Sequence, residues 1–407
     1  MKRCALKFVA AAPALFSAAA AGEWDIGGEV AGEIRYFPSA PAFPDQLEHW
    51  QPSATFQPDI RWESGDGRRQ FVLTPFVRID AQDDARTHLD LREAYYRHSA
   101  ENGWSALVGA AKIFWGRTES RHLVDIVNQT DAVEDIDEED KLGQPMINLT
   151  APTGAGTFDV FLMSGFRTRT FSGENGRLRF SPVVDTDGEI INRDRGRGAI
   201  DVAARYSHYI GGWDFGLSVF HGTSREPRFA LAPDAIRPVY DKITQGGVDL
   251  QYTKDAWLWK AEGIVREGQG DTFFAGVGGF EYTLYQLFGS NADLGLLLEY
   301  QYDGRDEGVV MESYGPALAA PVTAADNDVF AGARLGFNDA QDASALVGMS
   351  VDAEDQSMGM FIEASRRIGA NWTAELETRL FFNADPDNIA SVFRKDDFIT
   401  LRLTRYY

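Results

Sequence analysis

Charged side chains set among apolar stretches at alternating positions are the residues of this chain best suited to chemistry. Arg78, Asp80, Asp90, Arg92, Lys112, Asp201, Arg205, Asp249, Lys260, Glu262, Glu299, Glu363, Glu375, Glu377, Arg379 and Arg402 all stand opposite apolar faces. Such charges can brace a wall by pairing across it, or set up a field that selects ions, as rings of charge do in pores. Covalent chemistry has less to work with. The six histidines are His49, His88, His98, His122, His208 and His221, and no two of them lie four apart. No G-x-S-x-G nucleophile turn occurs. The single cysteine, Cys4, leaves the rest of the chain without a disulfide or a thiolate ligand. These features predict no catalytic group, no metal and no cofactor.

A second concentration of charge lies in residues 116–143. It contains Asp125, Asp131, Glu134, Asp135, Asp137, Glu138, Glu139 and Asp140. Three readings stay open. The segment is a solvated external loop, or a calcium site, or a constriction loop folded inward. The calcium reading lacks the glycine-centred D-x-D-x-D-G spacing. In the inward reading Asp135, Asp137, Glu138 and Glu139 are the constriction residues, and the segment's carboxylates face basic wall residues such as Arg78 and Arg92.

The elements that position these charges follow from a period of two. In Trp24, Ile26, Gly28, Val30, Gly32, Ile34 and Tyr36 every second residue is apolar or glycine, with Asp25, Glu29, Glu33 and Arg35 between. That spacing puts the two sets on opposite faces of a β-strand. The pattern returns in Leu294, Leu296, Leu298, Tyr300 and Tyr302, and again in Ile399, Leu401 and Leu403. About 18 such segments run from 23–37 to 395–407, most of them long enough for a tilted bilayer span. Short connections such as 211–212, 255, 289–292 and 369–370 tend to alternate with long ones at 38–53, 116–143, 170–196, 225–242, 304–326 and 383–394. That alternation is the mark of an up-and-down transmembrane barrel with short turns at one end and long loops at the other. An even strand number returns both termini to the short-turn end. The aromatics Tyr36, Phe37, Tyr206, Tyr209, Trp213, Trp257 and Tyr302 fall near strand ends, where interfacial girdles need them.

The N-terminus reads as an export leader. Lys2, Arg3 and Lys7 precede the apolar run Ala10–Phe16 and the small residues Ala18–Ala21. Residues 1–21 are therefore expected to be removed and 22–407 to form the barrel. Cleavage takes away three basic groups and no acidic one from a chain with 39 basic and 61 acidic side chains. So acidic a chain gives no reason to expect a nucleic-acid partner, which requires clustered Lys and Arg.

Three stretches resemble known proteins: AAKIFWGRTESRHLVDIVNQTD (Ala110–Asp131), ARYSHYIGGWDFGLSVFHGTSREPRF (Ala204–Phe229) and LWKAEGIVREG (Leu258–Gly268). They are similar to porin-like outer-membrane β-barrels of Gram-negative bacteria and, more distantly, to alginate-export porins. The terminal Tyr406-Tyr407 likewise resembles the aromatic insertion signal of such barrels, with Tyr in place of the usual Phe or Trp. The resemblance implies an 18-stranded all-β barrel in the outer membrane, acting as a passive or substrate-selective channel for small hydrophilic solutes or as a polymer exporter. Its partners would be outer-membrane lipid, lipopolysaccharide, the barrel-assembly machinery and the solutes. The alternatives are a barrel-borne enzyme, and an adhesin or receptor acting through the long loops.

Overall fold

Alternating residues become strands here because each strand has two different solvents to satisfy. The computed structural model describes residues 22–232, 235–386 and 388–407; the expected leader, 1–21, lies outside them. Eighteen antiparallel strands form one sheet. They are β1 (Gly22–Tyr36), β2 (Trp50–Ser64), β3 (Arg69–Asp80), β4 (His88–Ser99), β5 (Ser105–Ala111) and β6 (Gln144–Thr153). Next come β7 (Gly156–Met163), β8 (Asp201–Ile210), β9 (Trp213–Thr223), β10 (Lys242–Lys254), β11 (Trp257–Glu267) and β12 (Phe273–Leu284). The last six are β13 (Asp293–Asp303), β14 (Asn327–Gly336), β15 (Ser344–Asp352), β16 (Met358–Ile368), β17 (Trp372–Phe382) and β18 (Phe398–Tyr406). Each pairs with its sequence neighbours, and β1 pairs with β18, from Glu29 opposite Tyr406 to Tyr36 opposite Ile399. Closure leaves the sheet no edge, so no row of backbone N–H and C=O groups faces an apolar medium.

The faces divide as the period of two requires. On β13, Leu296, Leu298, Tyr300 and Tyr302 are 42–48% exposed, while Leu297, Glu299, Gln301 and Asp303 are buried inside. Aromatic rings gather at both ends of the outer face. Trp213 stacks on Tyr252 (4.5 Å) and Trp257 on Trp259 (5.5 Å) near the short turns; Tyr36 meets Trp50 (4.4 Å) near the long loops. Phe37 departs from the girdle expected of it. It is fully buried with Leu47 and Phe398, where the first and last long loops meet.

The seam depends on a glycine. Gly28 has φ +149°, and a Cβ there would lie 2.5 Å from Gln57 O and 2.7 Å from Tyr407 Oη. Tyr407 N donates to Gly28 O across the same seam (3.2 Å). A side chain at Gly28 would push the terminal tyrosine away from β1.

Two differences from the sequence expectation matter for the site. Strand β5 stops at Ala111 rather than continuing to 115, because Ile113 N donates to Asn128 Oδ1 (2.8 Å) and the chain peels off the wall. The long loops also carry structure of their own. Val309–Glu312, Gly315–Leu318, Arg228–Leu231, Ile236–Tyr240 and Ile190–Ile191 make a separate five-stranded sheet at the long-loop end. Arg177 ties other loops together there. It is fully buried, pairs with Asp396 (2.6 Å), covers the Phe37 ring (4.6 Å) and donates to the carbonyl of Glu48 (2.9 Å).

Candidate functional site

The connection between β5 and β6, residues 112–143, folds into the lumen. It packs against the inner wall. A neck holds it: Asn128 Nδ2 donates to Ala111 O (2.8 Å) and Leu142 O (2.9 Å), and Thr130 bridges Lys141. Two lobes extend from that neck, one on each side of the barrel.

The first lobe, residues 113–127, lies on the wall of β9–β14. Glu262 accepts from Arg117 N (2.6 Å), Thr118 N (3.1 Å) and Thr118 Oγ (2.8 Å). Glu299 accepts from Glu119 N (2.9 Å), Ser120 N (2.8 Å) and Ser120 Oγ (2.5 Å). Arg117 reaches Asp249 (3.2 Å), which also holds Arg205 (2.7 Å), and Glu119 faces Lys260 (3.6 Å). Leu123, Val124, Ile126 and Val127 pack on an apolar inner wall that includes Phe161, Phe220, Ile243 and Ile264. Burying such side chains is worth roughly 1.5–3 kcal/mol each, so packing anchors this lobe alongside the hydrogen bonds. Burial alone would lower the His122 pKa, but the Glu262 carboxylate 4.0 Å away holds it above its usual value.

The second lobe, residues 131–140, carries most of the acidic run. Glu134 pairs with Arg78 (2.5 Å), Asp131 with Arg92 (2.6 Å), Asp135 with Arg35 (2.9 Å) and Asp137 with Arg379 (3.0 Å). Burial would raise the Asp131 pKa, but the neighbouring His88 ring (3.6 Å), the charge of Arg92 and a hydrogen bond from Thr170 Oγ (2.6 Å) hold it well below the usual carboxylate range. Asp140 goes the other way: its surface is open to the lumen, but the crowding of protein around it and the Glu134 charge push it up to about 6, with Arg92 opposing. Ion pairs as dry as those of Asp131, Glu134 and Asp135 fix geometry more than they stabilise, because desolvation offsets most of their attraction.

A cavity of about 430 Å³ remains between this lobe and the wall of β14–β18 and β1. Nine carboxylates and five guanidiniums line it, giving it a net negative lining. Among the sequence candidates, Arg78, Asp135, Asp137, Glu139, Glu363, Glu375, Glu377, Arg379 and Arg402 lie on this cavity. Arg402 joins Glu29 (3.2 Å) and Glu375 (3.6 Å), and Arg379 joins Glu363 (3.1 Å) and Glu377 (2.9 Å).

Other candidates lie elsewhere on the inner wall. Glu262, Glu299, Asp249, Arg205 and Lys260 hold the first lobe. Asp80 pairs with Arg86 (3.0 Å), and Asp90 with Arg92 (3.1 Å) and Arg167 (2.5 Å). Asp201 pairs with Arg225 (2.9 Å) close to the long loops. Glu138 turns away to Arg169 (2.8 Å). Lys112 lies outside the strands. It is exposed, just beyond the early end of β5.

The sequence candidates omitted Glu33, Arg35 and Arg86, which complete the network: Arg86 and Arg78 both pair with Glu33 (2.9 and 3.2 Å). Glu33 and Arg35 share the charged face of β1, so the same alternation signals them. Arg86 sits in a connection outside that period and has no such signal.

No protein-family model matches this sequence, and no curated protein matches it. Solved structures do resemble it. OpdO of Pseudomonas aeruginosa is 11% identical, covering 95% of this chain and 96% of that one, with a TM-score of 0.53. A BenF-like porin from Pseudomonas fluorescens Pf-5 is 10% identical over 95% and 98%, also at 0.53. OccK11 (OpdR) of Pseudomonas aeruginosa is 10% identical over 95% of each chain, at 0.51. At these identities the likeness speaks for the fold.

Proposed function

We propose that this chain is an outer-membrane channel for passive diffusion of small hydrophilic solutes, with a preference for cations. The observation that carries the reading is the 112–143 loop, held inside a closed, apolar-coated barrel beside an acidic cavity. A loop fixed at both lobes narrows the lumen and leaves the cavity beside it. The excess of carboxylates over guanidiniums around the cavity supplies a negative field at the passage. Fields in confined sites are screened less than on open surfaces. The negative lining favours cations.

The solved neighbour named a BenF-like porin supports the channel reading by its fold. Polymer export, suggested by the resemblance to alginate-export porins, fits less well, because a chain would have to displace a loop anchored by packing and ion pairs. Outer-membrane lipid and lipopolysaccharide would surround the apolar face, residues 1–21 would direct export, and the terminal strand would be read by the barrel-assembly machinery. Purified protein in planar bilayers under a salt gradient tests the function. Stepwise single-channel currents with a cation-selective reversal potential are expected. Absence of steps, or an anion-selective reversal, refutes the proposal.

A further inference from the structure

Away from the constriction, three carboxylates meet at the long-loop end of the wall. Asp326, Asp328 and Asp352 each offer an oxygen, all within 4.8 Å of one another. Strand register explains the meeting. Asp328 on β14 stands opposite Asp352 on β15 and opposite Gln301 on β13, which puts these three in one row on the lumen face. Each of the three is only 3% exposed.

Their partners do not neutralise them. Asp352 accepts from Glu354 N (2.7 Å), Asp355 N (3.1 Å) and Asn388 Nδ2 (3.3 Å). Asp326 accepts from Asn327 N (2.9 Å), and Asp328 Oδ1 from Ser350 Oγ (3.1 Å). Arg121, on the inward loop, and Arg305, on the same loop as Asp326, are both taken up by Asp303 (2.8 and 2.7 Å). A separate observation concerns acceptors. Asp328 Oδ2 and Gln301 Oε1 are both buried, and no donor among the described residues reaches either. They sit on directly opposed residues. Two dry, unpaired oxygens beside two further carboxylates lack a positive charge, and burying such groups uncompensated is costly.

We propose that Asp326, Asp328, Asp352 and the Gln301 side-chain carbonyl form a calcium site. The ligand set is all oxygen, as a hard cation requires, and Ca–O distances of about 2.4 Å place opposite ligands about 4.8 Å apart. Magnesium, at about 2.1 Å, would need a tighter shell. Asp326 comes from the loop after β13 and the others from strand ends, so the ion would fasten that loop to the barrel rim. The site does not depend on the channel reading.

The test uses the full folded barrel in nonionic detergent, stripped with EGTA and titrated with calcium chloride by calorimetry, with thermal unfolding in parallel. One saturable site and a calcium-dependent rise in Tm are expected. D328N and D352N should each weaken binding by on the order of tenfold or more, and Q301L by a smaller factor. In EGTA, D328N should melt at or above wild type, because like-charge repulsion is relieved; that separates a lost site from a misfolded barrel. D306N, in the same loop but outside the cluster, should bind as wild type. No saturable binding up to on the order of 10 mM calcium, full binding by D328N, or equal loss in D306N would overturn the proposal.

Discussion

Removing the two carboxylates that grip the first lobe, Glu262→Ala with Glu299→Ala, should release it from the wall. Each carboxylate accepts three short hydrogen bonds from the 117–120 segment. A hydrogen bond to a charged group is worth about 1.5–3 kcal/mol, and bonds sharing one acceptor are not additive. Taking about 3 kcal/mol per carboxylate, one substitution shifts the bound-to-released ratio about 100-fold and the pair about 10⁴-fold, at about 1.4 kcal/mol per factor of ten. The apolar contacts of Leu123–Val127 oppose release. The single variants should therefore add current noise at near-wild-type conductance, and the double variant should add a larger-conductance state. Neither carboxylate lines the cavity, so trimming them does not by itself widen it. Glu375→Gln, which removes a charge that lines the cavity and pairs with Arg402, is the control for charge alone and should alter selectivity without new noise. Single-channel recording in planar bilayers reads all four variants. Wild-type conductance and noise in the double variant would refute the idea that these carboxylates hold the loop.

The same geometry makes further predictions. Leu298→Arg, at the middle of β13 on the outer face, should cost about 2–4 kcal/mol in urea unfolding from lipid vesicles, and an unchanged midpoint would contradict the assignment of faces. Deleting Arg405–Tyr407 removes the Tyr407–Gly28 seam bond and should lower the yield of heat-modifiable folded barrel in cells. Asp140, raised to about 6, is neutral at low pH and ionised above it, so cation preference should grow between about pH 5 and 7 and grow less in D140N. The sign for stability is opposite: ionising a carboxyl whose folded pKa is raised costs stability as pH climbs through that window. Neutralising Asp135, Asp137, Glu138 and Glu139 together should raise anion relative to cation permeability, read as a shift in reversal potential. Glu138 should contribute least, because it pairs with Arg169 away from the cavity.

The strand pattern was legible because a barrel wall has a period of two and separate solvents on its faces. Leu296 and Leu298 against Glu299 needed nothing beyond local alternation, and the spacing of short and long connections carried the antiparallel order. Charge placement was legible for the same reason wherever one face is apolar and the other is not. What became of the charges was not. Glu299 and Glu375 look alike in sequence, yet one is spent on loop backbone and the other borders the cavity, because that depends on where residues 112–143 lie. The loop's path rests on contacts between residues far apart in the chain, such as Arg379 with Asp137 and Glu299 with Ser120. Its landing surface was hidden as well. On β7 and β9–β12 the inward set includes Phe161, Phe220, Ile243 and Ile264, and alternation cannot say which of two apolar faces turns inward. The sequence by itself determined a two-faced strand repeated until it closes. Only the tertiary structure decided which charges are spent on holding the loop and which are left at the passage, because pairing depends on distances that closure and loop packing set.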